Sequence, residues 1–200
     1  MSRFNYIIVD ESVIRALQNG ERAALEKVYV QLSSLVYSLA LRLLKDENLA
    51  AEITQDTFID VFEKAPSLRE PAAFVGWVKQ IAVNLCFMQL RSPWHKRRVS
   101  IDTVSELDTV YVEPRDSQHD SERIDLVTDL QAALDSLPEQ ARAVVWLHDV
   151  EGYTHSEIGT LYGKSVSFSK TQLARAYARL AKIGETNGPR KIFDNFAGAS

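Results

Sequence analysis

Between Thr154 and Lys182 the sequence holds the residue types that a reader of duplex nucleic acid needs. Ser167, Lys170 and Thr171 offer short or charged donors, Phe168 offers a ring, and Arg175 and Arg179 offer forked cations. Helical spacing puts this set on the outer side of one segment. Residues 164–182 hold five bases and no acid. Donors near the start of such a helix reach base edges in a major groove, and cations further along meet phosphates. The same pattern also fits a plain helical hairpin with a solvated basic face.

A second set lies upstream. Gln80, Asn84, Phe87 and Arg91 fall at i, i+4, i+7 and i+11, one stripe of a helix, and Lys96, Arg97 and Arg98 extend its charge. Amide, ring and cation together suit unstacked bases: hydrogen bonds for edges, a ring for stacking, charge for the backbone. An ordinary polar face is the alternative. A third set, Glu52, Gln55, Asp56, Asp60 and Glu63, makes an acidic helix face. It suits a basic protein helix, or only solvent.

Enzyme chemistry finds little support. His95, His119, His148 and His155 are scattered, and His148 and His155 straddle Gly152. No phosphate loop, nucleophile elbow or triad pattern is present, and no metal or cofactor is expected. The single cysteine, Cys86, allows no intrachain disulfide and sits in an apolar helix, where a thiol is inert.

The elements that carry these sets are helical. The chain has 200 residues, 46% hydrophobic and 25% charged, ample for a core. It has few glycines (8) and prolines (6), against a turn-rich all-β fold. No run of about 18 apolar residues suggests a membrane span, and the acidic opening does not read as a signal peptide, so a cytoplasmic home is expected. A short helix over 11–19 stops at Gly20. A second carries Leu25, Val28, Tyr29, Leu32, Leu35, Val36, Leu39 and Leu43. A third, 48–64, carries Leu49, Ile53, Phe58, Val61 and Phe62 and closes at Pro66. A fourth starts at Pro71 and buries Phe74, Trp77, Val78, Ile81, Leu85 and Met88.

The net charge of −4 hides a strong segregation. Residues 99–123 hold seven acids against two bases, between the two basic stretches, and show no steady period. Helical pattern resumes with Ile124, Val127, Leu130 and Leu134. Thr154-His155-Ser156-Glu157 is a capping box, and Gly163 suits a tight turn. Ser165 or Ser167 then caps a last helix with Val166, Leu173, Ala176, Tyr177 and Leu180 inside. A capped short helix, a glycine turn and a basic longer helix make a helix-turn-helix. The expected fold is all-α: two small helical domains joined by a flexible acidic linker, the second containing the helix-turn-helix.

In order along the chain, these motifs resemble the extracytoplasmic-function (ECF) subfamily of bacterial sigma factors. Asp10–Tyr29, DESVIRALQNGERAALEKVY, is similar to the family's opening helices. Ala50–Phe62, AAEITQDTFIDVF, resembles its core-polymerase-binding motif, with Gln55-Asp56-Thr57-Phe58 at the centre. Phe74–Arg91, FVGWVKQIAVNLCFMQLR, resembles the promoter-melting helix, with Trp77 and Asn84 at the family's positions. Leu134–Tyr153, LDSLPEQARAVVWLHDVEGY, leads into the helix-turn-helix as it does in the family. The sequence departs from the family at Lys164, Ser169 and Gln172, and Ser92-Pro93-Trp94 interrupts the charged run after the fourth helix.

The resemblance implies a sigma domain 2 over 1–95, a linker over 96–123, a sigma domain 4 over 124–183 and a tail, 184–200, without a family counterpart. It implies core RNA polymerase as partner, through the largest subunit's coiled coil and the flap region, with Glu52, Gln55, Asp56, Phe58 and Asp60 in the dock. Trp77, Gln80, Asn84, Phe87, Arg91, Lys96, Arg97 and Arg98, with the loop 66–73, would hold the opened −10 element. Flipping a base costs a few kcal/mol that stacking and edge contacts must offset. Ser167, Phe168, Lys170, Thr171, Arg175 and Arg179 would read the −35 element. An anti-sigma factor is a further partner of this kind of protein. Two rivals from other classes stay open at this point: a helix-turn-helix regulator acting without polymerase, and a helical adaptor that never touches DNA.

Overall fold

The computed structural model describes residues 3–92 and 133–187, and the chain divides into two compact units, Met1–His95 and Lys96–Ser200. The acidic stretch, Lys96, Arg97, Arg98, the helical pattern at Ile124–Leu130 and the tail beyond 187 lie outside the described residues. Among the described residues every regular element is helical.

In the first unit a 3-10 turn, Arg3–Tyr6, precedes α1 (Glu11–Gln18), α2 (Arg22–Leu44) and α3 (Glu47–Lys64). Each start has a local cause. The Asp10 carboxylate accepts from the Ser12 amide at 2.7 Å, and that of Asp46 accepts from the Asn48 and Leu49 amides at 3.0 Å. These carboxylates satisfy amides that the first turn of a helix leaves without partners. Lys45, with φ 52°, makes the left-handed turn between α2 and α3. So short a connection folds the two helices back on each other.

Pro66 closes α3 as expected, within a 3-10 turn over Ala65–Ser67. Pro71 opens a separate 3-10 turn, Pro71–Ala73, and α4 runs Phe74–Arg91. The core is Val28, Leu32, Val36 and Leu43 from α2, Ile53 and Val61 from α3, and Phe74, Val78, Ala82, Cys86 and Phe87 from α4, all almost fully covered. Pro71–Arg91 is long and apolar enough by composition to cross a membrane. Its apolar side closes against α2 and α3, so that hydropathy belongs to the domain core.

In the second unit Pro138 precedes α5 (Glu139–Val145), which widens into a π turn over Trp146–Val150. The expected capping box is present: the Glu157 amide donates to Thr154 Oγ1 at 3.3 Å, and the Thr154 amide donates to Glu157 Oε2 at 2.8 Å. It starts α6 (His155–Tyr162), and α7 follows over Val166–Asn187. Gly163 takes φ +61° between them. Gly159 serves a different need: a Cβ there would lie 3.0 Å from the Lys164 carbonyl oxygen, so with any larger residue the turn must give by a few tenths of an ångström. Leu134, Leu147, Ile158, Leu173, Ala176 and Leu180 fill this second core.

Candidate nucleic-acid interface and acidic docking face

α3 presents the acidic face. Glu52, Gln55 and Glu63 are exposed and Asp56 is half-buried. Asp60 is engaged locally, accepting from Lys64 Nζ at 2.6 Å. Phe58 is a correction to the expected docking set: it is 4% exposed and meets the Tyr29 ring edge-on at 4.8 Å. At about 100° per residue, Gln55 and Asp56 point outward only if Thr57 and Phe58 turn inward with Ile53 and Val61. Thr57 is buried with them, its hydroxyl donating to the Ile53 carbonyl at 2.7 Å. The face also carries an apolar residue that charge counting passes over. Ile59 is 55% exposed and lies one turn beyond Gln55, among the acids.

On α4, Gln80 and Asn84 are exposed, and Gln80 Nε2 donates to Asn84 Oδ1 at 3.0 Å. Arg91 is exposed, with its Nε donating to the Phe87 carbonyl at 3.3 Å. Trp77 is half-buried with its ring 5.9 Å from that of Phe74. Phe87 does not belong to this surface. It is fully buried, while Met88, expected in the core, is 61% exposed. Phe87 sits about 60° round the helix from Asn84 and Met88 about 40° to the other side, and the packed helices cover only the first. The ring expected for stacking is therefore in the core. Burial also pushes the Cys86 thiol up to about 12, leaving it protonated and unreactive.

The loop entering α4 is held from α1: Gln18 Nε2 donates to the Leu68 carbonyl at 2.8 Å. This contact joins residues 50 positions apart, and no local pattern announces it.

On α7, Ser167, Lys170, Thr171, Arg175 and Arg179 are all exposed. Phe168 is half-buried, its ring 5.0 Å from that of Tyr162, so it braces the turn rather than standing outward with them. Val166 (42%) and Tyr177 (40%) are exposed, against the expectation that both lie inside. Tyr177 projects across to the π turn, its hydroxyl donating to both Asp149 carboxylate oxygens at 2.9 and 2.8 Å. Burial, and then this bond to the carboxylate, raise the Tyr177 pKa, so it stays a donor at neutral pH.

Two histidines that sequence spacing left apart come together here. The rings of His148 and His155 stack with centroids 4.5 Å apart and planes 18° from parallel. His148 Nδ1 lies 2.8 Å from Asp149 Oδ1, and His155 Nδ1 lies 3.0 Å from the hydroxyl of the fully buried Ser169. The reversal at Gly152, with φ +78°, makes the meeting possible; a spacing of seven does not reveal it. Among the described residues no group of three or more histidine, cysteine or acidic side chains is placed to hold a metal.

Comparison with known proteins matches the same two units. The family model for sigma-70 region 2 matches residues 28–96, and the model for sigma-70 region 4 matches residues 128–180; together they take in more than half of the chain. The ECF RNA polymerase sigma factor SigE of Mycolicibacterium smegmatis is 35% identical over 168 residues. That alignment takes in 80% of this chain and 63% of the relative, so the chain spans rather less than two thirds of that protein. The ECF RNA polymerase sigma factor SigM of Mycobacterium tuberculosis is 28% identical over 175 residues, 87% of this chain and 84% of the relative. The sigma factor RpoE of Bartonella quintana, solved with the anti-sigma factor NepR, shares the fold at a TM-score of 0.52 and 19% identity, over 82% of this chain and 98% of that one. With sigma-70 regions 2 and 4 present in order, and ECF sigma factors among its relatives, the chain belongs to the ECF subfamily of the sigma-70 family.

Proposed function

We propose that this chain binds core RNA polymerase and directs it to start transcription at a defined class of promoters. The observation that carries the reading is the presence of sigma-70 regions 2 and 4, one on each unit, each with a surface of matching chemistry. In this reading the acidic face of α3, Glu52, Gln55 and Asp56 with Ile59 among them, docks on a basic coiled coil of the largest polymerase subunit. Opposite charge speeds and orients such docking, and a buried apolar residue at its centre supplies affinity. Gln80, Asn84 and Arg91, with the loop 66–73, hold the opened −10 strand. Ser167, Lys170 and Thr171 read the −35 element, and Arg175 and Arg179 hold its phosphates. Lys96, Arg97 and Arg98 add charge beyond α4.

The linker 96–123 then runs between a domain 2 over 1–95 and a domain 4 over 124–183. The chain works in the cytoplasm, where the polymerase is. It contributes binding and strand capture, and the catalysis belongs to the polymerase. An anti-sigma factor that covers these faces is the regulator this reading expects.

The test is transcription in vitro with purified core polymerase, with and without the protein, on a fragmented genomic template, followed by sequencing of the 5′ ends. New start sites sharing spaced −10 and −35 elements are expected. DNA binding without polymerase, and no new starts, would point to the conventional regulator instead.

A further inference from the structure

Within the unit that carries the helix-turn-helix, α7 is tied to one polar cluster at two places about two turns apart. Ser169 is buried against His155, and Tyr177 holds Asp149, which also meets His148. The two ties converge on the stacked rings of His148 and His155. A fully buried hydroxyl left without a partner is costly, so the Ser169 contact constrains where the first turns of α7 can lie. Those turns carry Ser167, Lys170 and Thr171.

We propose that the His148–His155 pair is a positioning device for the recognition helix, and that its protonation lowers discrimination of the −35 element. This rests on the sigma-factor reading given above. The pair holds the geometry only while its charge is low. A second proton would place two cations face to face at 4.5 Å. The groups that act on His155 are His148 and Asp149 from the π turn, and Lys170 and the Ser169 hydroxyl from α7. Burial, then His148 and Lys170, hold the His155 pKa below its ordinary value of 6.5, and Asp149 opposes them only in part.

The folded unit therefore binds fewer protons at His155 than the unfolded chain. The network is fully in place above the ordinary histidine pKa and weakens as pH falls toward the lowered one. Separation of the rings relieves the repulsion and moves the first turn of α6 away from Ser169. Base-edge contacts need side chains held to about 0.5 Å, so a small shift there is enough to blur reading. The added positive charge meanwhile favours any phosphate backbone. The signature is thus a loss of specificity and not of binding as such.

The experiment uses the full chain with core polymerase on a promoter found by transcript mapping, beside the same promoter with its −35 element scrambled. The ratio of closed-complex affinities is measured between about pH 5.5 and 8, where histidine titrates. In the wild type the ratio is expected to fall on acidification, by at most about tenfold per pH unit for one coupled proton. His155→Gln keeps a partner for Ser169 and cannot titrate; its ratio should stay near the neutral-pH value at every pH. His155→Phe keeps a stacking ring and loses the Ser169 contact; its ratio should be low throughout. If His155→Gln does not fold by circular dichroism, His148→Gln removes the same cation pair and is read in the same way. A flat ratio in the wild type, or a glutamine variant that slopes like the wild type, overturns the proposal. Absence of polymerase-dependent initiation at neutral pH overturns the sigma reading, and this proposal with it.

Discussion

The side-chain amide of Gln18 donates to the backbone carbonyl of Leu68 at 2.8 Å, and so fastens the loop entering α4 to α1, 50 residues earlier in the chain. That loop leads directly to the surface of Gln80 and Asn84. A part-buried bond of this kind contributes about 0.5–1.5 kcal/mol. Gln18→Ala should leave the unit folded and loosen the loop. Promoter binding by the polymerase should persist while open-complex formation drops, as read by permanganate footprinting. Equal loss on a pre-melted template would show that the loop acts on held single strand; full rescue would show that it acts on opening.

Asp56 and Asp60 separate a docking charge from a locally engaged one. Asp56 has no ion-pair partner among the described salt bridges, whereas Asp60 holds Lys64. Asp56→Lys should weaken core-polymerase binding by about 1–2 kcal/mol, roughly tenfold in affinity. Asp60→Asn removes a charge already shared within the helix and should change the affinity by about twofold or less. A titration of labelled core polymerase distinguishes them, and an Asp56→Lys protein that binds at full strength removes α3 from the dock.

Phe87 and Asn84, three residues apart, should behave as different kinds of position. Phe87→Ala removes a fully buried ring and is expected to cost about 3–5 kcal/mol of stability, seen in thermal unfolding of the first unit. Asn84→Ala, on the exposed side, should leave the melting temperature unchanged. It should lower strand opening and relax base preference at one −10 position by about 1–3 kcal/mol. Lys170→Ala should instead weaken closed-complex binding and its salt dependence, without rescue by a pre-melted bubble. Normal melting and unchanged preference in Asn84→Ala would make it a plain surface residue.

Gly159→Ala sets two effects of opposite sign against each other. Alanine is favoured over glycine inside a helix by about 0.8–1 kcal/mol. The added Cβ would stand 3.0 Å from the Lys164 carbonyl oxygen, a backbone atom that would have to give by a few tenths of an ångström. Overpacking of that kind costs about 1–3 kcal/mol. The clash should win, lowering the melting temperature of the second unit and shifting the turn that sets α7. A variant as stable as the wild type, with full −35 discrimination, would show that the turn adjusts freely.

Much of the fold was readable along the chain because its causes are local. The 3–4 spacing of apolar residues announces α2, α3 and α4, since a helix buries one face. The Thr154–Glu157 box and Gly163 mark ends because a cap or a left-handed turn involves only a few consecutive residues. The acidic stripe of α3 and the basic stripe of α7 were readable for the same reason: charges that share a helix face are three or four apart.

What local spacing leaves open is which flank of a stripe its neighbours cover. Phe87 and Met88 are adjacent, and either fits a helical pattern; the packing of α2 and α3 on one side of α4 buries the first and exposes the second. Phe168 turns to an aromatic partner, Tyr162, that lies on another helix. Gln18 and Leu68, and the pair His148–His155 with Ser169, meet only after the chain has reversed direction between them. Helix geometry is periodic and therefore visible in one dimension; coverage and convergence depend on several elements packing at once, and only the folded units hold that information.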